Sequence, residues 1–190
     1  MPTLWGGSAN PVAQHEKALK WVLRYLRGTV TKGLTYRIQP ASGIVTYTDA
    51  SHGDATGTLT TRRKAVTGVV HQIDGNTIAW FSRRQDVTAT STQEADAIGV
   101  QRVTDFILRT EHVPLVLSDN EGAIVNVKAD KISRGFKHVE MPLLLVCDLF
   151  RMGRIRVEYV PTEDQVADLL TKTVWKVIHE NLVGRLMGRP

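Results

Sequence analysis

Apolar positions along the chain follow two rhythms, one with the pitch of a helix and one that alternates every second residue, and the change between them lays out the elements. Val12, Leu19, Val22, Leu23 and Leu26 form one stripe of a helix predicted over Pro11–Arg27, which Gly28 closes. Leu34–Ile38 predicts a short strand, and the run from Pro40 to Gly43 marks a boundary. From Ile44 the pattern alternates, with Val45, Tyr47 and Asp49 on one face. Val66–Ile73 and Thr77–Ser82 predict two more strands, and Asp74, Gly75 and Asn76 between them are a hairpin signal. Thr92–Thr110 reads as a helix whose inner face carries Ala95, Ile98, Gly99, Val103, Phe106 and Ile107, with Glu94 in its first turn. Leu115–Asp119 is a short strand with Leu115, Leu117 and Asp119 on one face. Helices over Asn120–Ala129 and Val139–Met152 and a strand over Ile155–Tyr159 follow. Pro161 and Thr162 open a further helix, where Thr162 and Gln165 have the spacing of a capping box. In that helix Val166, Leu169 and Leu170 face inward and Asp168 points away, with Trp80 of the hairpin assigned to the core. A last helix over Trp175–Leu186 frays at Gly188. The order of elements predicts an α/β fold, a mixed sheet with helices packed on it.

Composition narrows the class. With 190 residues, 42% hydrophobic and 23% charged, the chain has the balance of one globular domain with extensions rather than of a disordered tail. Cys147 is the one cysteine, which excludes an intrachain disulfide framework and cysteine-based zinc sites. The longest apolar run, Met141–Phe150, is too short to span a bilayer and contains Pro142 and Asp148, so no membrane partner is expected. The first residues lack a basic region and an apolar region of the secretory kind, which predicts an intracellular protein. The formal charge is +5, and its placement matters more than its sum. Basic residues cluster at Arg62, Arg63 and Lys64, at Arg83 and Arg84, at Lys128, Lys131, Arg134 and Lys137, and at Arg151, Arg154 and Arg156. Such clusters are either scattered solvated faces or one patch that tracks a phosphate backbone.

Two predicted strands end in an aspartate on the buried face, Asp49 and Asp119. Ligands of open α/β sheets gather beyond the carboxyl ends of the strands. Two carboxylates about 4 Å apart there repel by roughly 4 kcal/mol at an effective dielectric near 20, and a divalent cation reverses the sign. Hard oxygen ligands suit magnesium. Glu94 lies close enough along the chain to join them. Each acid also has an ordinary reading: a turn cap for Asp49 and Asp119, a helix-dipole partner for Glu94, a solvated helical position for Asp168.

The blocks that carry these acids occur in a telling order. Tyr47-Thr-Asp49-Ala-Ser51, Ser91-Thr-Gln-Glu94-Ala, Leu117-Ser-Asp119-Asn120 and Tyr159-Val-Pro-Thr-Glu-Asp-Gln-Val-Ala-Asp168-Leu-Leu-Thr-Lys172 resemble the ribonuclease H domain of copia-type LTR-retrotransposon Pol polyproteins. The run from His15 to Gly28 resembles the end of the reverse transcriptase region just upstream in such polyproteins. The resemblance implies a ribonuclease H-like fold with a five-stranded mixed sheet. It divides the chain into a reverse transcriptase connection over 1–40, a ribonuclease H domain over 41–174 and a helical tail over 175–190. The sequence departs from that family in a shorter helix after Glu94 and in Glu121, where glutamine is usual.

What the resemblance implies chemically is hydrolysis of the RNA strand of RNA–DNA hybrids with two Mg2+ ions, for which Mn2+ can substitute. Asp49, Glu94, Asp119 and Asp168 are then the catalytic, metal-binding carboxylates, with Asp49 bridging the ions, Glu94 and Asp119 on one, and Asp168 on the other. Gln93 and Asn120, beside the acids, are candidate readers of the 2′-OH, or else ordinary turn and cap residues. Arg62, Arg63, Lys64, Arg83 and Arg84 are candidates to hold backbone phosphates. His138 is an auxiliary candidate, for product release or for pinning a helix start. The polymerase domain of the same polyprotein is a candidate partner, and the cytoplasm, within a virus-like particle, or the nucleus is the expected location. Two rivals remain at this stage. One is an inactive ribonuclease H-like module from a decayed or domesticated element that binds nucleic acid or a partner. The other is a DNA nuclease or integrase of the same fold, which an Asp-Asp-Glu order would favour.

Overall fold

The computed structural model describes residues 13–51, 65–84, 112–129 and 140–188. The predicted helix Thr92–Thr110 lies outside them. The chain divides into two compact units between Leu34 and Thr35. In the first, α1 (Ala13–Gly28) carries an ion pair between Lys20 and Glu16 at 2.6 Å, and Leu19, Val22, Leu23 and Leu26 along its apolar stripe are exposed.

The second unit is built on a five-stranded sheet of β1 (Ile44–Ser51), β2 (Val66–Ile73), β3 (Asn76–Arg84), β4 (Leu115–Ser118) and β5 (Arg156–Tyr159), in the order β3-β2-β1-β4-β5. The β1–β2 and β2–β3 pairs are antiparallel, whereas β1–β4 and β4–β5 are parallel. The hairpin between β2 and β3 turns on Asp74 and Gly75, both at positive φ (48° and 72°), the geometry of a two-residue hairpin loop matched to strand twist. Three α-helices accompany the sheet among the described residues of this unit: α2 (Glu121–Lys128), α3 (Glu140–Arg151) and α4 (Lys176–Leu186). The core lies on the face of the sheet that carries Val69, Val116 and Val157, and Ile124 and Val127 of α2 and Val146, Cys147 and Leu149 of α3 close over it. The residues of one strand alternate between faces, so the same strands present a second face. There α4 buries Leu182 and Val183, and Arg185 pairs with Asp164 at 2.6 Å.

Three expectations are corrected. Leu34–Ile38 is not a strand. Its backbone bonds go to a side chain and a helix end instead: Asn76 exchanges two hydrogen bonds with Arg37 (2.8 and 2.9 Å), and the Thr35 N–H donates to the Met187 carbonyl at 2.8 Å. The segment after Pro161 forms two short 3-10 segments, Thr162–Asp164 and Val166–Leu170, and the capping box does not form. Three residues per turn place Asp168 under Gln165, so Asp168 is buried at 1% exposure while Leu169 and Leu170 are only half-buried. Trp80 is 53% exposed rather than in the core, because it lies on the edge strand of the sheet.

Candidate metal centre

Asp49 and Asp119 meet because of strand register. In the parallel pair of β1 and β4, Tyr47 lies opposite Leu117, so the acids two residues further on arrive side by side at the carboxyl ends. Asp168 comes from the 3-10 segment that crosses this face, and three features dock that segment. The fully buried Gln165 donates from Nε2 to the Thr48 carbonyl at 3.1 Å and accepts at Oε1 from the Ala167 N–H at 3.3 Å. Ser82 Oγ donates to the Leu170 carbonyl at 2.7 Å. Gly68, opposite Asp49 on β2, leaves the room: a Cβ there would stand 2.7 Å from Thr171 Cγ2 and 2.8 Å from the Ala167 carbonyl oxygen. One carboxylate oxygen each from Asp49, Asp119 and Asp168 lie within 4.8 Å of one another.

Neighbouring hydroxyls orient two of the acids. Thr171 Oγ1 donates to Asp49 Oδ2, and Thr162 Oγ1 donates to Asp119 Oδ2 at 3.1 Å. Lys172 reaches all three carboxylates: its Nζ is 2.9 Å from Asp168 Oδ1, 3.7 Å from Asp49 Oδ1 and 3.9 Å from Asp119 Oδ2. Among the described residues one ammonium faces these three acids, and burial adds to the cost of ionising them. Burial pushes the Asp168 carboxyl up to about 7, although Lys172 pulls the other way. Burial also raises Asp49, against the Thr171 hydrogen bond and Lys172. Burial alone would weaken the Lys172 ammonium, but the Asp168 hydrogen bond and the three negative charges outweigh it and hold its pKa above the ordinary lysine range. A cluster of hard oxygen donors short of positive charge suits a divalent cation of the magnesium type. The residues present therefore fit such an ion.

The described structure unites three of the four expected carboxylates. Glu94, Gln93, Arg62, Arg63, Lys64 and His138 lie outside the described residues. The Asn120 side-chain oxygen accepts from the Ala123 N–H at 3.1 Å and so caps α2. Arg83 and Arg84 fall on opposite faces of β3. Ser82 bonds the 3-10 segment and so faces the metal centre; alternation then puts Arg84 on that face and Arg83 on the other. Sequence reasoning missed Lys172, Thr171, Thr162 and Gln165 as parts of the centre. The spacing of Lys172, four residues after Asp168, was the available signal, since such pairs meet on one side of a helical turn.

No family model matches the sequence. The chain is 28% identical over 188 residues to the retrovirus-related Pol polyprotein from transposon RE2 of Arabidopsis thaliana, covering 93% of this chain and 13% of that polyprotein. Among solved structures it resembles LC11-RNase H1, isolated from compost by a metagenomic approach, with a TM-score of 0.53 at 19% identity over 68% of this chain and 92% of that one. The fold is that of ribonuclease H. The foamy viral protease-reverse transcriptase in complex with RNA/DNA hybrid also matches, with a TM-score of 0.53 at 17% identity over 72% of this chain and 21% of that one. The chain thus combines a ribonuclease H-like fold with sequence similarity to retrotransposon Pol polyproteins, of which it spans about an eighth. Among the described residues no helix is long and apolar enough to cross a membrane.

Proposed function

We propose that this chain is a metal-dependent ribonuclease H that hydrolyses the RNA strand of RNA–DNA hybrids as one step of retrotransposon reverse transcription. A fold of this kind hosts many activities, so the reading rests on the site. The observation that carries it is the convergence of Asp49, Asp119 and Asp168 at the carboxyl ends of two central strands, their oxygens within 4.8 Å of one another. The similarity to Pol polyproteins and to a reverse transcriptase bound to RNA/DNA hybrid supports the choice of substrate and of the polymerase region as partner.

Asp49, Asp119 and Asp168 would hold two divalent ions, with Glu94 as the proposed fourth ligand. When bound, such ions acidify a water and relieve charge on the scissile phosphate. The chain's own residues prepare that environment. The Thr171 and Thr162 hydroxyls fix one oxygen of Asp49 and of Asp119, which leaves each carboxylate a second oxygen in a set direction. Gln165 and Gly68 hold the segment that brings Asp168 in. Arg84, exposed and on the same face, is placed to take a backbone phosphate, a contact that positions a duplex without reading its sequence.

Cleavage of an end-labelled RNA–DNA hybrid by the full chain tests the reading. We expect RNA cuts with Mg2+ and none with EDTA. Asp119→Asn should lower the rate at least a thousandfold, about 4 kcal/mol of barrier, with hybrid affinity within a few-fold of the parent. Cleavage by Asp119→Asn at the parental rate would refute the site. Metal and hybrid binding without any cleavage would instead favour a binding module.

A further inference from the structure

Metal chemistry does not call for Lys172. A cation within 4 Å of three metal-binding oxygens repels any ion that approaches them, yet Lys172 Nζ lies 2.9, 3.7 and 3.9 Å from oxygens of Asp168, Asp49 and Asp119. One oxygen of each acid lies within 4.8 Å of one from each of the others, so an ammonium this close to all three carboxylates competes with an ion for the space between them. Its anchoring is one-sided. The Lys172 N–H donates to the Asp168 carbonyl at 3.1 Å and ties the backbone to the 3-10 segment, while the side chain retains 38% of its exposure. A four-carbon stem with a route to solvent can swing without moving the backbone. The carboxylates lack that freedom: the Asp49 and Asp168 side chains are 6% and 1% exposed. Left without a counter-charge, they would bear the full penalty of buried like charges.

We propose that Lys172 is a tethered counter-cation, seated among the three carboxylates in the metal-free protein and displaced toward solvent when a divalent ion enters, so that this one side chain limits how tightly the site holds metal. The proposal rests on the reading of the cluster as a metal site. It gives the chain a means to keep its acids together before metal arrives and to let the ion leave afterwards.

Calorimetric titration of the full chain with MnCl2, with melting curves in EDTA and in saturating Mn2+, tests it. Lys172→Met keeps the stem and removes the charge. It should bind Mn2+ at least tenfold more tightly than the parent, melt lower in EDTA and recover the parental melting temperature with metal. Lys172→Arg, which keeps the charge, should stay within a few-fold of the parental affinity. A parent that binds Mn2+ beside a Lys172→Met that binds it no more tightly overturns the role of Lys172 and leaves the metal site standing. A parent that binds no Mn2+ overturns both. A second measurement needs no variant: acylation of Lys172 by an amine-reactive reagent, followed by mass spectrometry, should speed up severalfold when Mg2+ is added. An unchanged rate refutes displacement.

Discussion

Thr46 and Asp49 lie three residues apart on β1, and both are buried, but their surroundings differ in kind. Thr46 faces the hydrophobic core and shares a hydrogen bond of 2.9 Å with His71 of β2, a neutral pair. Burial lowers the His71 pKa to about 4, so the ring stays uncharged near neutrality. Asp49 faces the other side, where among the described residues three carboxylates share a single lysine. The first cluster is a finished piece of structure and the second is short of positive charge. Burial of polar groups by itself therefore does not mark a site in this molecule; unbalanced charge at the strand ends does.

The largest separable effect concerns pH in the absence of metal. Asp168 titrates near 7 in the folded chain and near 3.8 when unfolded, so between those values the folded chain keeps a proton that the unfolded chain has released. Its contribution to stability is full below about pH 3.8 and is lost as the pH rises to about 7. His71 acts in the opposite sense: its contribution is full above 6.5 and is lost as the pH falls toward 4. Denaturant titrations in EDTA should show Asp168→Asn gaining on the parent by roughly 2–4 kcal/mol between pH 4 and 7 and by no more above it. A difference that stays flat with pH would mean that Asp168 carries no such penalty.

Metal should tell the two clusters apart next. Mg2+ at a hundred times its dissociation constant should stabilise the parent by about 2.7 kcal/mol, read as a rise in melting temperature. Asp49→Asn should lose most of that rise, and His71→Gln should keep it. Equal metal responses in the two variants would erase the distinction. Gly68→Ala should have the smallest effect, about 1–3 kcal/mol of stability, because a methyl group there overpacks the docked segment. The Ala167 carbonyl, which would stand 2.8 Å from it, is backbone and cannot turn away. The same substitution should weaken Mg2+ binding through Asp168, and calorimetry would show whether stability falls alone.

Much of this was legible in the chain. The strands announced themselves through alternation and through the Asp74–Gly75 turn, since both depend on neighbours in sequence. Asp49 and Asp119 stood out because an acid at the end of an apolar strand face contradicts its own pattern. Asp168 did not: a helical wheel turned it toward solvent, and only the tighter 3-10 winding aims it at the sheet. The spacing of Thr162 and Gln165 signals only a local cap, whereas Thr162 bonds Asp119 and Gln165, besides capping at Ala167, reaches Thr48, 43 and 117 residues away.

The sequence by itself determined which residue types are available and where the chain becomes strand or helix, because hydrophobic period and turn chemistry act over a few residues. Tertiary structure alone decided which of those residues share a space. The register of β1 against β4 set Asp49 beside Asp119, the gap at Gly68 admitted Asp168, and a lysine four residues further along was left among all three. Each of those placements depends on contacts between segments far apart in the chain, where one residue of slip in register would turn every side chain to the opposite face.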